Sequence, residues 1–250
     1  KSGGVMSDQK RLDIHNSSVP VLCQACEARH KGVCGAMTPD ELTRLSRHTT
    51  IRQHPAKTIL VTEEEPVKSY ANLLNGVVKL SKTMADGRQQ IVGLQFAPDF
   101  VGRPFHSESQ VCAEAASNVT LCYFPKNAVE AMLKEQPELE RRLLRQALGE
   151  LDEARDLMLT LGRKSAEEKL ASFLYLIARH IDPTIDIRKA TEATFDLPLT
   201  RTDIADFLGL TIETVSRQLT KMRKADVIRV ENNRHIIIPS LSRLREISGN

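Results

Sequence analysis

Five cysteines carry the most distinctive chemistry in this 250-residue sequence. Cys23, Cys26 and Cys34 follow a C-x2-C-x7-C spacing near the N-terminus, and Cys112 and Cys122 come much later. Thiolates are the soft ligands that bind structural zinc or iron-sulfur clusters, and both groups accept four sulfur ligands. Three clustered cysteines and a distant fourth therefore predict a metal centre. The spacing alone leaves zinc, an iron-sulfur cluster and free thiols open.

The residues around these cysteines bear on which group they bind. Arg29, His30 and Lys31 lie between the second and third cysteines, where cations can offset the negative charge of four thiolates. His30 is also an alternative zinc ligand, and all three residues fit a solvated loop equally well. An odd number of cysteines without an export signal argues against a disulfide framework.

A second chemically specific stretch, residues 200–224, predicts a helix-turn-helix. Thr200 can cap a helix over Arg201–Leu208, and Asp203 completes a capping box three residues later. Gly209 supplies the permissive backbone that a sharp turn requires, and Thr211 can cap a second helix that ends near residue 223. DNA is therefore the first candidate partner.

The second of these helices has the side chains of a DNA-reading helix. Glu213, Ser216 and Arg217 are spaced i, i+3 and i+4, so they project together from its first turns. An arginine fork matches guanine acceptors, and a carboxylate can accept from the cytosine amino group. The alternative is the solvated face of an amphipathic helix pair. The residues predicted to contact DNA are Thr211, Glu213, Thr214, Ser216, Arg217 and Lys221. The predicted buried stripe consists of Ile212, Val215, Leu219 and Met222.

A β-hairpin is predicted directly after this helix pair. Residues 227–230 and 235–238 are apolar runs separated by Asn232 and Asn233, which favour a tight hairpin turn. Helix-turn-helix and hairpin together predict a winged helix-turn-helix. Residues 199–250 hold nine Lys or Arg against six Asp or Glu, an excess equal to the formal net charge of +3. Such a modest excess suits a specific DNA reader better than a nonspecific polyanion binder.

The elements that must position these sites follow from hydrophobic patterning. Between residues 51 and 125, short apolar runs alternate with turn markers such as Asn75-Gly76 and Asp86-Gly87, which predicts a small antiparallel barrel or roll. Residues 39–48 and 126–135 predict short helices on either side of it. Residues 137–161 predict one long helix, and residues 165–180 predict another after a hinge at 162–164.

The long helix carries a coiled-coil-like seam. Leu144, Leu148, Leu151 and Met158 recur at spacings of four, three and seven residues. A second apolar stripe leaves two interpretations open, because one face can pack on its own domain and the other on a partner. A helix-turn-helix dimer reads two half-sites about one DNA turn apart, so we expect a homodimer. Its predicted interface is formed by Leu144, Leu148, Leu151, Ala154 and Met158.

The predicted fold class is α+β, with an N-terminal antiparallel, jelly-roll-like β-roll as sensor domain, a long dimerisation helix and a C-terminal winged helix-turn-helix. Residues 1–20 predict a flexible N-terminus whose first residues derive from an expression vector. Residues 21–136 form the cysteine segment and roll, 137–162 the dimerisation helix and 163–250 the DNA-binding domain. No apolar run approaches the roughly 20 residues of a membrane span, so we expect a cytoplasmic protein without membrane contact.

Taken together, these segments resemble the FNR branch of the CRP/FNR transcription regulators, particularly its alphaproteobacterial members. The resemblance runs from about residue 19 to the end, and its specific parts are residues 29–37, 75–80, 86–88, 149–174 and 213–219. It implies an oxygen-responsive regulator of anaerobic or microaerobic genes, with an oxygen-labile 4Fe-4S cluster. The implied partners are a second copy of the chain, a TTGAT-type inverted repeat in double-stranded DNA, and RNA polymerase.

The resemblance also implies which cysteines bind the cluster. The implied ligands are Cys23, Cys26, Cys34 and Cys122. Cys122 matches the family's distant ligand because it precedes Pro125 in a Cys-x-x-Pro context, and Cys112 is the alternative. Ala154 stands where the better-known branch has an aspartate, so a like-charge contact between protomers is absent and the dimer is expected to be less strictly switched.

The sequence argues against other activities. Cyclic-nucleotide sensors of this superfamily bind phosphate with a Gly-Glu stretch and an Arg-Ser pair, and residues 99–105 and 110–114 lack both. Glu114 would also repel a phosphate, so we expect no cyclic nucleotide. A regulator with structural zinc or free thiols is the alternative function. We expect no enzyme, because the sequence shows no catalytic constellation.

Overall fold

The computed structural model describes residues 19–24, 26–182, 187 and 189–249. The predicted flexible N-terminus up to residue 18 lies outside them. The chain begins with two helical turns, α1 (Val21–Gln24) and α2 (Glu27–His30), and a 3-10 turn at Val33–Ala36. Helix α3 (Pro39–Ser46) begins with a capping box, in which Thr38 N donates to Glu41 Oε2 at 2.8 Å and Glu41 N donates to Thr38 Oγ1.

The predicted antiparallel roll is confirmed as two four-stranded sheets. One has the strand order β1-β8-β3-β6 and the other the order β2-β7-β4-β5, and all neighbours are antiparallel. Leu73, Val78 and Leu121 are among the residues buried in the core of the roll. The strands are β1 (Thr50–His54), β2 (Ile59–Val61), β3 (Ser69–Asn75), β4 (Val77–Thr83), β5 (Gln89–Phe96), β6 (Phe100–Val101), β7 (Cys112–Ala115) and β8 (Val119–Pro125).

Three helices follow the roll: α4 (Lys126–Glu135), α5 (Pro137–Arg163) and α6 (Ala166–His180). Pro137 occupies the first turn of α5, where the missing proline N–H would have no helical partner. Ser165 caps α6 in a capping box with Glu168, so only two residues separate α5 from α6. Among the described residues, no helix combines the length and apolar character that crossing a bilayer requires.

The C-terminal part has the winged architecture. Its elements are β9 (Ala193–Asp196), α7 (Arg201–Leu208), α8 (Ile212–Lys224), β10 (Arg229–Glu231), β11 (His235–Ile238) and α9 (Leu241–Ser248). Asn232 and Asn233 have φ values of 50° and 59°, the left-handed geometry of a tight hairpin turn, so the predicted hairpin is confirmed. Strand β9 adds a third strand beside β11.

The largest apolar core joins the roll to the winged domain. Val77 and Leu94 of the β4–β5 hairpin are buried in the same cluster as Phe207 and Leu208 of α7 and Leu174 of α6. The hairpin therefore packs on the first helix of the helix-turn-helix within one protomer. A second cluster joins the cysteine segment, α3, β3, α4 and the start of α5.

Candidate DNA-reading helix and thiol cluster

Helix α7 and the turn after it have the predicted capping geometry. Asp203 N donates to Thr200 Oγ1 at 3.1 Å and Thr200 N donates to Asp203 Oδ2 at 3.0 Å, which completes the capping box. Gly209 adopts a left-handed conformation with φ of 60°, which glycine reaches without strain. Thr211 caps α8 by accepting from Thr214 N at 3.2 Å. These contacts fix the angle between the two helices.

The predicted DNA-contacting side chains lie along one side of α8. Glu213 and Arg217 are exposed, Ser216 is half-buried, and Arg217 Nη2 donates to Thr214 Oγ1 at 3.5 Å. Hydrogen bonds from its own backbone amide and from the Thr211 hydroxyl lower the pKa of Glu213. An open groove beside them is lined by Ser216, Arg217, Thr220, Lys221, Lys224 and Ala225. Its basic lining suits a polyanion.

Two residues of α8 have surroundings that the sequence did not predict. Val215, Leu219 and Met222 are buried as predicted, but the prediction that Ile212 is buried is wrong, since its side chain is 43% exposed. Ile212 lies on the same face one turn earlier, where the helix extends beyond the core that covers its later turns. Lys221, predicted to contact DNA, forms an exposed ion pair with Glu167 of α6.

Four cysteines share one region beneath the start of α5. Cys34 is buried in the 3-10 turn, and Cys23 and Cys122 pack against the same apolar cluster. Asn72 Nδ2 donates to Cys34 Sγ at 3.0 Å, and Asn72 is paired with Cys122 in the β3–β8 register. Cys26 follows Cys23 in a turn in which Cys26 N donates to Cys23 O. Asn72 is a contact that the sequence did not indicate.

The pKa values of these thiols show that they influence one another. Burial, and then Cys26, Cys122 and Cys23, raise the pKa of Cys34, and the hydrogen bond from Asn72 opposes them. Burial, and then Cys26 and Cys23, raise the pKa of Cys122 to about 12. Burial and Cys26 likewise raise the pKa of Cys23. Every pair among the four sulfurs therefore interacts, because neighbouring negative charges repel.

Cys112 lies elsewhere, on β7 of the other sheet. Burial raises the pKa of its thiol, and the groups that act on it besides burial are Ser81, Glu114, Lys79 and Glu63. Within the described ranges, no three His, Cys, Asp or Glu side chains are arranged to hold one metal ion. The structure thus brings Cys23, Cys26, Cys34 and Cys122 together without forming a site for a single ion.

The cysteine segment contacts α5 through Arg142. Arg142 Nη1 donates to Gly32 O at 2.5 Å, and a Cβ added at Gly35 would lie 1.9 Å from the same nitrogen. One turn later, Gln146 exchanges two hydrogen bonds with the backbone of Phe100, at 3.0 and 3.1 Å. Neither contact was indicated by the sequence, because the glycines and polar helix residues carry no local signal of their partners.

The predicted seam of α5 faces away from the roll. Leu144, Leu148, Leu151 and Met158 are 58%, 51%, 43% and 63% exposed, while Ala154 is half-buried. Members of the second stripe, Leu143 and Leu157, pack instead on the cores of their own protomer. One face of α5 is therefore used within the protomer, and the other leaves apolar side chains in solvent.

Two protein families match the chain. Residues 51–136 match the cyclic nucleotide-binding domain, and residues 168–247 match the Crp-like helix-turn-helix domain. A probable transcriptional activator of Rhizobium leguminosarum bv. viciae is 53% identical over 96% of this chain and 98% of its own length. The transcriptional activator protein FnrL of Cereibacter sphaeroides is 40% identical over 91% of this chain and 92% of its own.

Solved structures share the whole architecture. The structure of FixK2 from Bradyrhizobium japonicum superposes with a TM-score of 0.71 at 29% identity, covering 80% of this chain and 96% of FixK2. Both proteins therefore have the roll, the long helix and the winged helix-turn-helix in the same order along the chain. This chain belongs to the CRP/FNR family of DNA-binding transcription regulators, within its FNR branch.

Proposed function

We propose that this chain is an oxygen-responsive transcriptional activator, whose dimer is stabilised by a 4Fe-4S cluster and binds an inverted repeat of the TTGAT type. The observation that carries the proposal is the convergence of Cys23, Cys26, Cys34 and Cys122 beside α5. Relatives named as transcriptional activators support the direction of control. RNA polymerase is the proposed partner on DNA.

The number and type of the thiol ligands support a cluster. A 4Fe-4S cluster binds four thiolates, each at a different iron. Four thiols that lie near enough to shift one another's pKa meet that requirement. Four thiolates can also hold one structural zinc ion, which is the alternative that the metal analysis below tests. Asn72 also provides a hydrogen bond to the buried sulfur, as second-shell groups do.

The cluster, when bound, supplies the positive charge that lets four partly buried cysteines exist as thiolates, and it is the group that reacts with oxygen. The protein's own contribution is mechanical. Arg142 donates a hydrogen bond to the backbone between the second and third proposed ligands. Gly35 has no side chain, so the guanidinium can approach the loop more closely than a Cβ would allow. The position of the cysteine segment is thereby tied to the first half of α5.

The exposed seam of α5 lies close to this contact and provides the proposed dimer interface. Leu144 and Leu148 lie within two turns of Arg142 and face outward, where a second copy can cover them. A dimer presents two α8 helices to the DNA. Once one helix has bound its half-site, the other is held near the second half-site at a high effective concentration, so the dimer binds more tightly than separate monomers. Glu213, Ser216 and Arg217 are the proposed base-reading residues, and exposed Ile212 can reach a thymine methyl.

The test is anaerobic purification with iron, sulfide and zinc quantified, followed by DNA binding before and after exposure to air. We expect iron and sulfide at about four each per protomer, and a steep loss of affinity in air. The matched pair of variants is Cys122→Ala and Cys112→Ala. The first should abolish the cluster's visible absorption, and the second should leave it intact.

Three results would contradict the proposal. Stoichiometric zinc without sulfide would favour the alternative regulator with a structural metal, which binds DNA regardless of oxygen. Metal-free protein with full affinity would favour free thiols. Loss of the cluster on removal of Cys112 but not of Cys122 would reassign the fourth ligand. The expectation that the roll binds no cyclic nucleotide stays a prediction, and calorimetric titration with cyclic AMP checks it.

A further inference from the structure

Lys79 is a buried cation at the junction of the roll and the winged domain. It lies on β4, a central strand of its sheet, and its side chain is only 8% exposed. Lys79 Nζ contacts Asp203 Oδ1 at 2.5 Å and Glu114 Oε1 at 3.1 Å. A lysine is rarely buried without paired charges, so these two carboxylates are what keeps it there.

The two carboxylates come from different parts of the chain. Glu114 lies on β7, next to β4 in the same sheet, and pairs with Lys79 in the strand register. Asp203 lies in the first turn of α7, where it also completes the capping box with Thr200. Lys79 therefore joins the roll to the first turn of the helix-turn-helix. Burial works to lower its pKa, but hydrogen bonds to Asp203 and Glu114 outweigh burial and raise it.

A second polar contact holds the other end of α7. Gln90 Nε2 on β5 donates to Phe207 O at 3.2 Å. Between the two polar contacts, Val77 and Leu94 of the hairpin share a buried core with Phe207. Helix α7 is thus held at its start and near its end, so it cannot slide or rotate on the roll without breaking one of these contacts.

We propose that Lys79 is a positioning residue for DNA binding: by holding the first turn of α7 on the roll, it fixes the direction of the reading helix relative to α5. Among the described residues, Lys79 contacts none of those proposed to contact DNA, so we expect a single half-site to be read equally well without it. In a dimer joined through α5, however, the direction of each helix-turn-helix sets the distance between two reading helices. Lys79 therefore determines which half-site spacing the dimer accepts. The inference rests on the proposed α5 dimer.

The test compares Lys79→Met with Lys82→Met in the full chain. Methionine keeps the length of Lys79 and removes its charge, whereas Lys82 is an exposed residue of the same strand, paired with Glu63 at the surface. Affinity is measured anaerobically on a single half-site, on the inverted repeat, and on repeats with one base pair added or removed between half-sites.

We expect Lys79→Met to bind the half-site within about twofold of the unchanged protein and to lose roughly tenfold on the inverted repeat, because the second half-site no longer adds its effective concentration. Its preference among the three spacings should flatten. Lys82→Met should behave as the unchanged protein. Equal losses on half-site and repeat, or an unaltered spacing preference, would overturn the proposal.

Asp203→Asn is a second, independent variant. Asparagine keeps a side-chain oxygen for Thr200, so the cap of α7 persists while the charge that Lys79 meets is gone. Asp203→Asn should flatten the spacing preference in the same way. Lys79→Arg, made alone, retains the cation and should keep the spacing preference of the unchanged protein. The spacing preference of the unchanged protein on the same DNAs tests the proposed dimer separately, since a protein without any preference would refute the dimer and not the role of Lys79 alone.

Discussion

At the residue scale, Arg217 is the side chain on which we expect base discrimination to depend most. It is exposed on α8, and its only described contact is a long hydrogen bond to Thr214. The guanidinium is therefore free to turn toward a base edge at little cost. An arginine that forks onto guanine contributes both affinity and selectivity at that one position.

Replacing Arg217 by alanine should cost about 1 to 3 kcal/mol on the inverted repeat and relax selectivity at its guanine position. Fluorescence anisotropy on the repeat, on a repeat changed at that guanine and on scrambled DNA measures both effects. Arg141→Ala removes another exposed arginine, on α5, and should leave DNA binding unchanged. An equal loss on scrambled DNA would show that Arg217 contacts only phosphate.

Asp99 is a carboxyl group whose charge affects stability near neutral pH. Burial first, and then the nearby charges of Glu150 and Glu153 on α5, raise its pKa to about 7, against a hydrogen bond from Phe96 N that lowers it. The pKa in the unfolded chain is near 3.8. The folded protein thus keeps this proton longer than the unfolded chain. Its contribution to stability is full below about pH 4 and is lost as the pH rises through 7.

Asp99→Asn should remove this pH dependence, since asparagine keeps an oxygen for Phe96 N and does not ionise. Between pH 5 and pH 8, the free energy of unfolding of the variant should gain about 2 to 3 kcal/mol relative to the unchanged protein. Urea unfolding at both pH values, with reductant present, measures the difference. Asp86→Asn, at an exposed turn, is the control. Parallel pH curves for Asp99→Asn and the unchanged protein would contradict the assignment.

At the element scale, α5 separates its two tasks between two faces. The face toward the roll carries Arg142 and Gln146, which hold the cysteine segment and the backbone of β6. The opposite face carries four large apolar side chains that no described residue covers. Because both faces belong to one helix, we expect a shift at the first face to move the second.

Leu148→Ser should weaken the dimer. Leu148 is 51% exposed, so a partner can bury about half of it, and each protomer would lose about 1 to 1.5 kcal/mol. This loss counts twice in a symmetric dimer, so the dissociation constant should rise by at least roughly tenfold. Sedimentation equilibrium of anaerobic protein measures it. Met84→Ser removes a side chain of similar exposure from the tip of the β4–β5 hairpin and should leave the dimer unchanged. A monomer–dimer equilibrium that responds to Met84 and not to Leu148 would place the interface elsewhere.

Elements with a strong local signal could be predicted, and those defined by distant partners could not. The caps at Thr200 and Thr211 and the turn at Gly209 give the helix-turn-helix, because capping depends on neighbouring residues alone. Strand β9 has a single buried residue, Phe195, and pairs with a strand some 40 residues later. No local pattern could indicate it.

The same distinction holds for the thiols. The spacing of Cys23, Cys26 and Cys34 identifies three members of the set, whereas the fourth depends on which strand faces them. Cys122 is beside Asn72 through the β3–β8 pairing, and Cys112 lies on the opposite sheet. The resemblance favours Cys122 through its Cys-x-x-Pro context, but the residues alone leave both open, because which strand pairs with β3 is not written in a local pattern.

At the scale of the whole molecule, the roll and the winged domain share one core. Leu94→Ala, in that shared cluster, should cost about 2 to 5 kcal/mol and lower hydrogen-exchange protection in both β5 and α7. Leu73→Ala is the matched control, because Leu73 is buried in a cluster confined to the roll. It should lower protection in the roll and spare α7. Unchanged protection of α7 in Leu94→Ala would mean that the two domains unfold independently.

The shared core also limits how such regulators can be recombined. A chimaera that grafts a foreign reading head after Arg163 would leave Val77, Ile91 and Leu94 facing a surface they did not evolve against, and Lys79 without its aspartate. Synthetic sensors built by swapping heads should therefore exchange the β4–β5 hairpin together with α7. The productive crossover points lie within the roll, on either side of the β4–β5 hairpin, as well as at the junction between α5 and α6.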